Sequence, residues 1–510
     1  MPGAPSVNTG APSELEVSRA KRRVLEIQTK LHLWSGEDVT RRFYDLFNLV
    51  ADPAFLLVAW ERVKGNTGSR SAGVDGMSVT AARARVGGEQ AFLDDIRDSL
   101  RQQTFRPLPV RERMIPKPGS MKKRRLGIPT VTDRVVQAAL KLVLEPIFEA
   151  EFCPSSYGFR PRRRAQDAIA EIVYFNTGTR NYEWVLDADI AACFDEIDHT
   201  ALMGLVRRRI ADKRVLALVK AFLKAGILGE LGELRGPKSG TPQGGILSPL
   251  LANIALSVLD EHMAAKWDTQ VERAKRKRRG QANSIIVCYA DDFVVMVDGR
   301  REHVKELREE ISGVLAGIGL RFSEEKTSIV HIDQGFDFLG FRIQRRQKRG
   351  TSQRYIYTIP SRVAQQRARD RIKELTSRIR HPSFTVLLLR MNSFLRGWSA
   401  YFKYGVSSQV FNLMQSYAWQ RVAIWLRNDR QLRWKEIRKR YMWMEVPCTG
   451  RDHPVRAPSC RGSVPLPRNG YPHSMDSLPS ALTTAVSWRA GCGESRTSGS
   501  GGRPRETDSE

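Results

Sequence analysis

The spacing of apolar and polar residues divides the chain into segments of different character. Residues 1–20 are polar and contain Pro and Gly, which predicts a loose arm. From Lys21 to about Val63 apolar residues recur at helical spacing, and the glycine-rich stretch 64–76 predicts a connector. Residues 98–345 alternate strand-like apolar runs with helical patterns, so we predict an α+β domain there.

Elements can be predicted within and beyond this α+β region. Strands are predicted at 184–186, 284–289, 293–297 and 338–341, and helices at 134–148 and 248–262. Residues 360–445 lack strand alternation, and the span 351–445 holds 19 Lys and Arg against 5 Asp and Glu. Beyond Val446 the residues are mainly Pro, Gly, Ser, Thr and Arg, which predicts a disordered tail.

The charge of the chain indicates the kind of partner it binds. It carries 83 Lys and Arg against 55 Asp and Glu, a formal net charge of +28. Such a charge repels itself unless a polyanion neutralises it. An anionic membrane is the alternative, but there is no apolar run of 18 residues and no lipidation motif, so nucleic acid is favoured. Six scattered cysteines and the lack of a signal peptide predict a cytoplasmic protein.

Two adjacent acids interrupt an otherwise apolar stretch at 284–297. Asp291 and Asp292 follow Tyr289-Ala290 and precede Phe-Val-Val-Met-Val. Because burying an unpaired carboxylate is costly, a core strand should not contain two of them. They lie either in a solvated tight turn or at a bound divalent cation, and the hairpin alone favours neither.

A second acidic strand shifts the balance toward a metal. The short apolar run 184–189 places Asp187 and Asp189 on one face. Two strands that each end in a carboxylate can share a pair of Mg2+ ions ~3.5–4 Å apart, an arrangement used in phosphate chemistry. Only one of Asp187 and Asp189 is required as a ligand.

A glycine-rich loop and a basic hairpin accompany the acids. The loop Gly240-Thr-Pro-Gln243-Gly-Gly leaves its backbone bare, so a nucleotide can approach closely. An ordinary loop before a helix is the alternative. Residues 111–129 place Lys and Arg around a turn, which suits clamping of a triphosphate, although a solvated basic loop has the same composition.

In this order, the motifs resemble those of the reverse transcriptase/maturase encoded by group II introns, over about residues 40–445. The motifs that carry the resemblance are Asp189–Phe194, Gly240–Asn253 and Tyr289–Phe293. The sequences at 71–76, 126–134, 156–161 and 338–341 also match the family. The run Leu395-Arg-Gly-Trp398-Ser-Ala-Tyr-Phe402 is similar to the signature of the maturase domain.

The resemblance implies an α+β right-hand polymerase with fingers, palm and a helical thumb, or maturase X, domain. The implied segments are a variable N-terminal arm (1–40), an N-terminal fingers extension (41–97), the reverse transcriptase fingers and palm (98–345), the maturase/thumb domain (355–445) and a disordered tail (446–510). Larger members of the family carry a zinc-supported HNH endonuclease, and the tail lacks its Cys and His spacing, so none is expected.

Catalytic roles are carried over by position from the family. Asp189 and Asp291 would be the principal ligands of two Mg2+ ions, with Asp292 beside them. Phe194 would press on the sugar, reject a 2′ hydroxyl and so select dNTPs. Lys326 would assist the departing pyrophosphate.

Nucleotide contacts are implied in the same way. Gln243 would line the nucleotide and template pocket, and Lys117 and an Arg near 124 would contact the triphosphate, with Arg111 a weaker candidate. The hairpin is one residue longer than the usual pattern, so Arg124 and Arg125 are alternatives.

The basic carboxyl-terminal helices are predicted to bind RNA, because basic residues with aromatics suit duplex backbones and stacked bases. The residues concerned are Arg396, Trp398, Arg433, Lys435, Arg438, Lys439 and Arg440. A core position is the favoured alternative for most tryptophans of this segment.

The implied function is RNA-directed DNA synthesis, coupled to binding and splicing of the chain's own group II intron RNA and to intron mobility. The implied partners are intron RNA, an RNA template with a DNA primer, dNTPs and target DNA, in association with the nucleoid, and a homodimer is left open. The alternatives are a splicing-only maturase and a reverse transcriptase of another lineage (retron, diversity-generating or CRISPR-associated). Three intact acids argue against the first, and the Gly397-Trp398 region argues against the second.

Overall fold

A computed structural model describes most of the chain up to Pro454. The described residues are 11–116, 123–177, 182–229, 233–236, 239–241, 244–267, 269–348, 350–377, 383–429, 431–443, 446–449 and 453–454. Side chains are described up to Ile437, Asp429 excepted. Lys117, Gln243 and most of the predicted disordered tail therefore lie outside the described residues.

The amino-terminal helices pack around one long buried helix. They are α1 (Glu14–Glu37), α2 (Phe47–Val50), α3 (Pro53–Gly65), α4 (Val79–Arg83), α5 (Gly88–Arg101) and α6 (Val131–Glu149), with a 3-10 turn at Thr67–Arg70. The helix α6 is apolar on most faces and is covered by α1, α2 and α3, so that Val135, Leu140 and Leu144 are fully buried. The helix predicted at 134–148 is confirmed.

The first helix begins earlier than the sequence indicates. Ser13 Oγ accepts a hydrogen bond from Glu16 N at 3.2 Å, and the Glu16 carboxylate accepts one from Ser13 N at 2.8 Å. This reciprocal pair is a capping box, which satisfies backbone donors at a helix start. The prediction of a loose arm is therefore wrong from Glu14 onward.

A small sheet follows the amino-terminal helices. Its strands are β1 (Val110–Pro116), β2 (Lys123–Ile128), β4 (Ile227–Leu228) and β5 (Leu234–Arg235), in the order β2-β1-β4-β5. β1 and β2 form the antiparallel basic hairpin, with Ile115 opposite Arg124, and β1 pairs in parallel with β4.

The central sheet is antiparallel throughout and carries the acidic residues. Its strands are β3 (Trp184–Asp189), β6 (Asn283–Tyr289), β7 (Asp292–Asp298) and β8 (Ser328–His331), in the order β6-β7-β3-β8. The helices around it are α7 (Ala165–Phe175), α8 (Cys193–Glu196), α9 (His199–Arg209), α10 (Lys213–Lys224), α11 (Ser248–Ala265), α12 (Gln270–Arg278) and α13 (Arg301–Ala316). The strands predicted at 184–186, 284–289 and 293–297 and the helix at 248–262 are confirmed.

A third sheet leads into the carboxyl-terminal helices. Its strands are β9 (Phe336–Phe338), β10 (Phe341–Gln347) and β11 (Arg354–Pro360), in the order β11-β10-β9. The single strand predicted at 338–341 is wrong, because Leu339 (φ 48°) and Gly340 (φ 79°) form a left-handed turn between two strands. The helices are α14 (Arg362–Leu375), α15 (Phe384–Phe402), α16 (Ser408–Asp429) and α17 (Trp434–Tyr441), followed by the short strands β12 (Met442–Trp443), β13 (Val446–Thr449) and β14 (His453–Pro454).

Aromatic packing joins this third sheet to α15. The Phe341 ring centroid lies 4.8 Å from that of Phe402 and 5.7 Å from that of Tyr401, and the Tyr401 hydroxyl donates to Leu339 O at 2.9 Å. The mixed α/β architecture predicted from the sequence is thus present. None of the described helices is long and apolar enough to cross a membrane.

Phe341→Ala should destabilise the protein strongly, because the side chain is 1% exposed and fills the junction between β10 and α15. Loss of a buried Phe costs about 3–5 kcal/mol. Urea unfolding measures this change. Tyr355→Ala, at a residue that is 44% exposed on the same sheet, is the control and should cost well under half as much. Equal losses for the two variants would contradict the packing described here.

Candidate active site

The three acids meet at one end of the central sheet. In the antiparallel register, Asp189 at the end of β3 lies directly opposite Asp292 at the start of β7. Asp291 lies in the tight turn between β6 and β7, where Ala290 adopts a left-handed φ of 58°. A non-glycine residue in this region is strained and persists only where its surroundings impose it. The sheet register therefore brings together carboxylates that are about 100 residues apart in sequence.

A neighbouring segment imposes that turn. Cys288 N donates to Ser155 O and Tyr157 N donates to Cys288 O, each at 2.9 Å, so residues 155–157 run along the edge of β6. A Cβ atom on Gly158 would lie 2.2 Å from Ala290 N, closer than any side chain permits. The Asn253 amide on α11 donates to Gly158 O at 2.9 Å and fixes this glycine against the turn.

The electrostatics of the turn are unfavourable without a cation. Burial raises the pKa of Asp291, and the charge of Asp189 raises it further. Asp292 retains contact with solvent, but the protein atoms crowded around it and then the charges of Asp291 and Asp189 raise its pKa to about 7. A raised carboxyl pKa means that the ionised form is under-compensated by the protein alone.

One ammonium group partly offsets this excess of negative charge. Lys326 Nζ lies 2.5 Å from Asp189 Oδ2. The turn that carries Lys326 is itself attached to β3, because Ser323 N donates to Asp189 O at 2.8 Å and Lys326 N donates to Ser323 O at 3.0 Å. Asp189 and Lys326, predicted separately from the sequence, are therefore brought together by the fold.

The acids suit a hard divalent cation in type and number. Mg2+ is commonly held by one or two carboxylates plus substrate phosphates rather than by a closed protein cage. The described residues accordingly contain no cluster of three His, Cys, Asp or Glu that encloses a metal by itself. Asp187 lies farther along β3, where burial and then the charges of Asp337 and Asp189 raise its pKa to about 7.

Phe194 lies at the start of α8, the short helix that follows β3. Its ring is half-buried, and its centroid lies 6.3 Å from that of Phe159 in an edge-on arrangement. Phe194 O accepts a hydrogen bond from Thr241 N at 2.6 Å. A Cβ atom on Gly240 would lie 2.6 Å from Phe194 O, so the glycine loop must pass here without a side chain. The loop and Phe194 are therefore one local unit.

Arg124 and Arg125 of the basic hairpin, which the sequence leaves as alternatives, have different neighbours in the structure. The charge of Arg124 acts on Asp291 and lowers its pKa against the larger effect of burial. The Nε of Arg125 lies 3.7 Å from a Glu112 oxygen, and the charge of Arg125 lowers the pKa of Asp195 against the larger effect of burial. Arg111 lies beside Arg134, whose pKa is lowered by burial and, more weakly, by Arg111.

The predicted RNA-binding residues of the carboxyl-terminal helices divide into packed and exposed ones. Trp398 is half-buried, with ring centroids 5.0 Å from Phe402 and 5.7 Å from Phe411, as expected of a core residue. Arg396, Arg433 and Lys435 are exposed. The remaining residues, Arg438, Lys439 and Arg440, lie in α17, and their side chains are not among the described ones.

Sequence reasoning gave no role to several residues that shape this site. Gly158 and Asn253 hold the turn, and Cys193 lies beneath the acids, where burial and then the charges of Asp291 and Asp189 raise its pKa to about 12. Gly158 and Asn253 both fall within motifs that carry the family resemblance, and their place in those motifs is the sequence feature that points to them.

The class of protein follows from comparison with known families. A family model described as reverse transcriptase (RNA-dependent DNA polymerase) matches residues 115–343. A second, described as group II intron, maturase-specific domain, matches residues 365–443. The first match contains the acids, the glycine loop and most of the basic hairpin, and the second contains the basic helices.

Individual relatives agree with this class. The chain is 36% identical over 374 residues to Protein YkfC of Escherichia coli, covering 69% of this chain and 96% of that protein. It is 34% identical over 368 residues to Group II intron-encoded protein LtrA of Lactococcus lactis, covering 63% of this chain and 60% of that protein. The chain belongs to the group II intron-encoded family of proteins with reverse transcriptase and maturase domains.

Gly158→Ala should abolish most activity without unfolding the protein, because its methyl group would displace Ala290 and the acids with it. A displacement of about 1 Å at reacting groups can cost ~100-fold in rate. Nucleotide incorporation and thermal melting measure the two effects. Gly204→Ala, where a Cβ meets nothing within 4 Å on α9, is the matched control and should keep full activity. Full activity of Gly158→Ala would show that the turn is not held in this way.

Divalent cations should stabilise the protein more at pH 8 than at pH 6. The pKa of Asp292 is raised to about 7, so the folded protein binds a proton that the unfolded chain has lost. Proton binding by Asp292 therefore stabilises the folded protein at low pH, and this contribution is lost as pH rises through about 7. Above that pH the carboxylate is ionised and can bind a cation. One such group makes Mg2+ binding about tenfold tighter at pH 8 than at pH 6.

Thermal melting with and without Mg2+ across this pH range measures the effect. Asp292→Asn removes the titrating group and should flatten the pH dependence. A Mg2+ effect that is constant with pH in the natural sequence would contradict the assignment.

Proposed function

We propose that this protein is an RNA-directed DNA polymerase that works at the end of the central sheet and also binds a group II intron RNA to assist its splicing. The observation that carries the polymerase activity is the direct pairing of Asp189 with Asp292 across β3 and β7, with Asp291 in the adjoining turn. The family matches over residues 115–343 and 365–443 support the combination of the two activities.

The residues present fit a pair of divalent cations. Asp189 and Asp291 would hold two Mg2+ ions, with Asp292 beside them, and the under-compensated charge of these carboxylates supports this fit. When bound, the ions supply Lewis-acid activation of a primer 3′ hydroxyl and neutralise the departing pyrophosphate.

The protein's own side chains position the nucleotide and move the proton. Lys326 forms an ion pair with Asp189 and would donate to the leaving pyrophosphate. Arg124 faces the acids from the basic hairpin and binds the triphosphate, in preference to Arg125 and Arg111. Phe194, whose ring lies edge-on to that of Phe159, would limit the space at the sugar 2′ position. Lys117 and Gln243 complete the predicted nucleotide contacts.

The proposed right-hand arrangement follows the order of the elements. The segments are an amino-terminal arm (1–40), a fingers extension (41–97), fingers and palm (98–345), a maturase/thumb domain (355–445) and a tail (446–510). The central sheet would be the palm, the basic hairpin part of the fingers, and α14 to α17 the thumb. Support for this comes from the placement of the acids on the central sheet and from the helical composition of residues 362–441.

The splicing function would depend on RNA contacts away from the acids. Arg396, Arg433 and Lys435 offer exposed positive charge on the carboxyl-terminal helices, and Arg438, Lys439 and Arg440 follow them in sequence. Trp398 would contribute by holding α15 rather than by stacking on bases. The proposed partners are therefore intron RNA, an RNA template with a DNA primer, dNTPs and the DNA target of the intron.

Asp291→Asn should reduce primer extension on an RNA template with dNTPs and Mg2+ by about 1,000-fold or more, since it removes charge from a metal ligand. Splicing of a bound intron should survive, because that activity needs RNA binding rather than nucleotidyl transfer. Single-nucleotide incorporation and a splicing assay separate the two effects.

Asp187→Asn is the matched control, on the same face of β3 but next to Asp337. It should keep extension within about tenfold. Absence of extension by the natural sequence would leave a splicing-only maturase, and unchanged extension by Asp291→Asn would overturn the proposed metal site.

A further inference from the structure

The most concentrated positive charge among the described residues lies outside the site above. Helix α12 and the residue that ends it read Gln270-Val-Glu-Arg273-Ala-Lys275-Arg276-Lys277-Arg278-Arg279, with six basic residues and one acid. No residue of α12 is buried. A helix that is polar on all faces has little to gain from folding by itself, so its attachment and its surroundings explain why it is there.

One face of α12 is used to attach the helix. The Arg273 guanidinium lies 4.1 Å from the centroid of the Trp267 ring, Arg276 Nη1 donates to Lys266 O at 2.6 Å, and Lys277 Nζ lies 3.0 Å from Asp298. Positions 273, 276 and 277 follow the i, i+3, i+4 spacing that places residues on one helix face.

The opposite face carries a second set of basic residues with the same spacing. Lys275, Arg278 and Arg279 are exposed and lie about half a turn around the helix from the attaching residues. Lys275 pairs with Glu272 at 2.6 Å on the surface, and an exposed pair of this kind is easily exchanged for another anion. Among the described residues, the side chains of Arg278 and Arg279 have no carboxylate within ion-pair distance.

Two further exposed arginines lie at the same end of the hairpin formed by β6 and β7. β6 and β7 pair from Asn283 opposite Asp298 to Tyr289 opposite Asp292, so the two ends of the hairpin lie about 20 Å apart. The chain leaves β7 at Gly299, where a Cβ would lie 2.8 Å from the Ala282 side chain, and Arg300 and Arg301 follow, both exposed. The basic residues thus lie at the end of the hairpin opposite to the acids.

We infer that Lys275, Arg278, Arg279, Arg300 and Arg301, here termed the distal basic surface, bind the phosphate backbone of a structured RNA independently of DNA synthesis. The inference extends the RNA-binding part of the proposed function to a surface outside the basic carboxyl-terminal helices. An RNA is favoured over an acidic peptide because a row of closely spaced fixed cations matches the regular phosphates of a backbone. Guanidinium groups also pair with phosphates in a bidentate manner.

Distance from the acids gives this surface a separate task. A short primer and template engage the end of the hairpin that carries Asp291 and Asp292, whereas the distal basic surface lies about 20 Å away at Asn283 and Asp298. Long folded RNA can reach both ends at once. Contacts at the two ends then increase the overall affinity together, since the second contact forms at high effective concentration.

The test replaces three outward basic residues together, Lys275→Gln, Arg278→Gln and Arg279→Gln, and leaves the attaching face intact. Affinity for an in vitro transcript of a group II intron should fall about tenfold or more near 0.1 M salt, and the slope of log affinity against log salt should decrease by about 2–3. Primer extension on a 20-nucleotide template should stay within twofold of the natural sequence.

A matched control removes the same charge elsewhere. Lys213→Gln, Lys220→Gln and Lys224→Gln change three exposed lysines of α10. This variant should lose less than threefold in transcript affinity. An equal loss in the two triple variants would show a non-specific charge effect and overturn the inference, as would unchanged transcript binding in the α12 variant.

Two further outcomes would also overturn it. If the α12 variant loses primer extension and transcript binding in the same proportion, the surface belongs to the template path. If it instead loses binding to vesicles of phosphatidylserine and phosphatidylcholine and keeps transcript binding, the surface recognises a membrane. Failure of the natural sequence to extend any primer would refute the polymerase proposal but would leave the transcript comparison valid.

Discussion

Repulsion between carboxylates at the end of the central sheet is the constraint on which the rest of the site depends. Burial and the charge of Asp189 raise the pKa of Asp291, and burial and then the charges of Asp291 and Asp189 raise that of Asp292. Among the described residues, Lys326 forms an ion pair with Asp189. Repulsion between the carboxylates opposes this arrangement. It requires a rigid frame whose own stability exceeds the electrostatic cost, and the paired strands β3, β6 and β7 supply that frame.

The frame is reinforced around Ala290, where the backbone is strained.

 
Gly158 lies against that residue without a side chain, and Asn253 from α11 holds Gly158 in place. The strain at φ 58° is thus balanced by contacts from two other parts of the chain. Close to this turn, Thr241 N of the glycine loop donates to Phe194 O, and the charge of Arg124 in the basic hairpin acts on Asp291.

Much of this arrangement could be predicted from the sequence because its chemical signals are local. An acidic pair inside an apolar hairpin, a second acidic strand and a Gly-Thr-Pro-Gln-Gly loop are visible in short windows, as are strands of alternating or continuous apolar residues. Errors arose where local and tertiary effects compete. Residues 14–20 were predicted as a loose arm although Ser13 and Glu16 cap a helix, and 338–341 was predicted as one strand although Leu339 and Gly340 turn the chain.

The sequence by itself determined the class of site, its acids and the polyanionic character of the expected partner, since these follow from residue type and order. Tertiary structure alone decided which groups meet: the register that sets Asp189 opposite Asp292, and the contact of Gly158 with Ala290. It also decided the different roles of the two faces of α12, where Arg and Lys side chains attach the helix on one face and are exposed to solvent on the other. The reason is that register and facing depend on contacts between segments far apart in the chain, and these leave no signal within a short window.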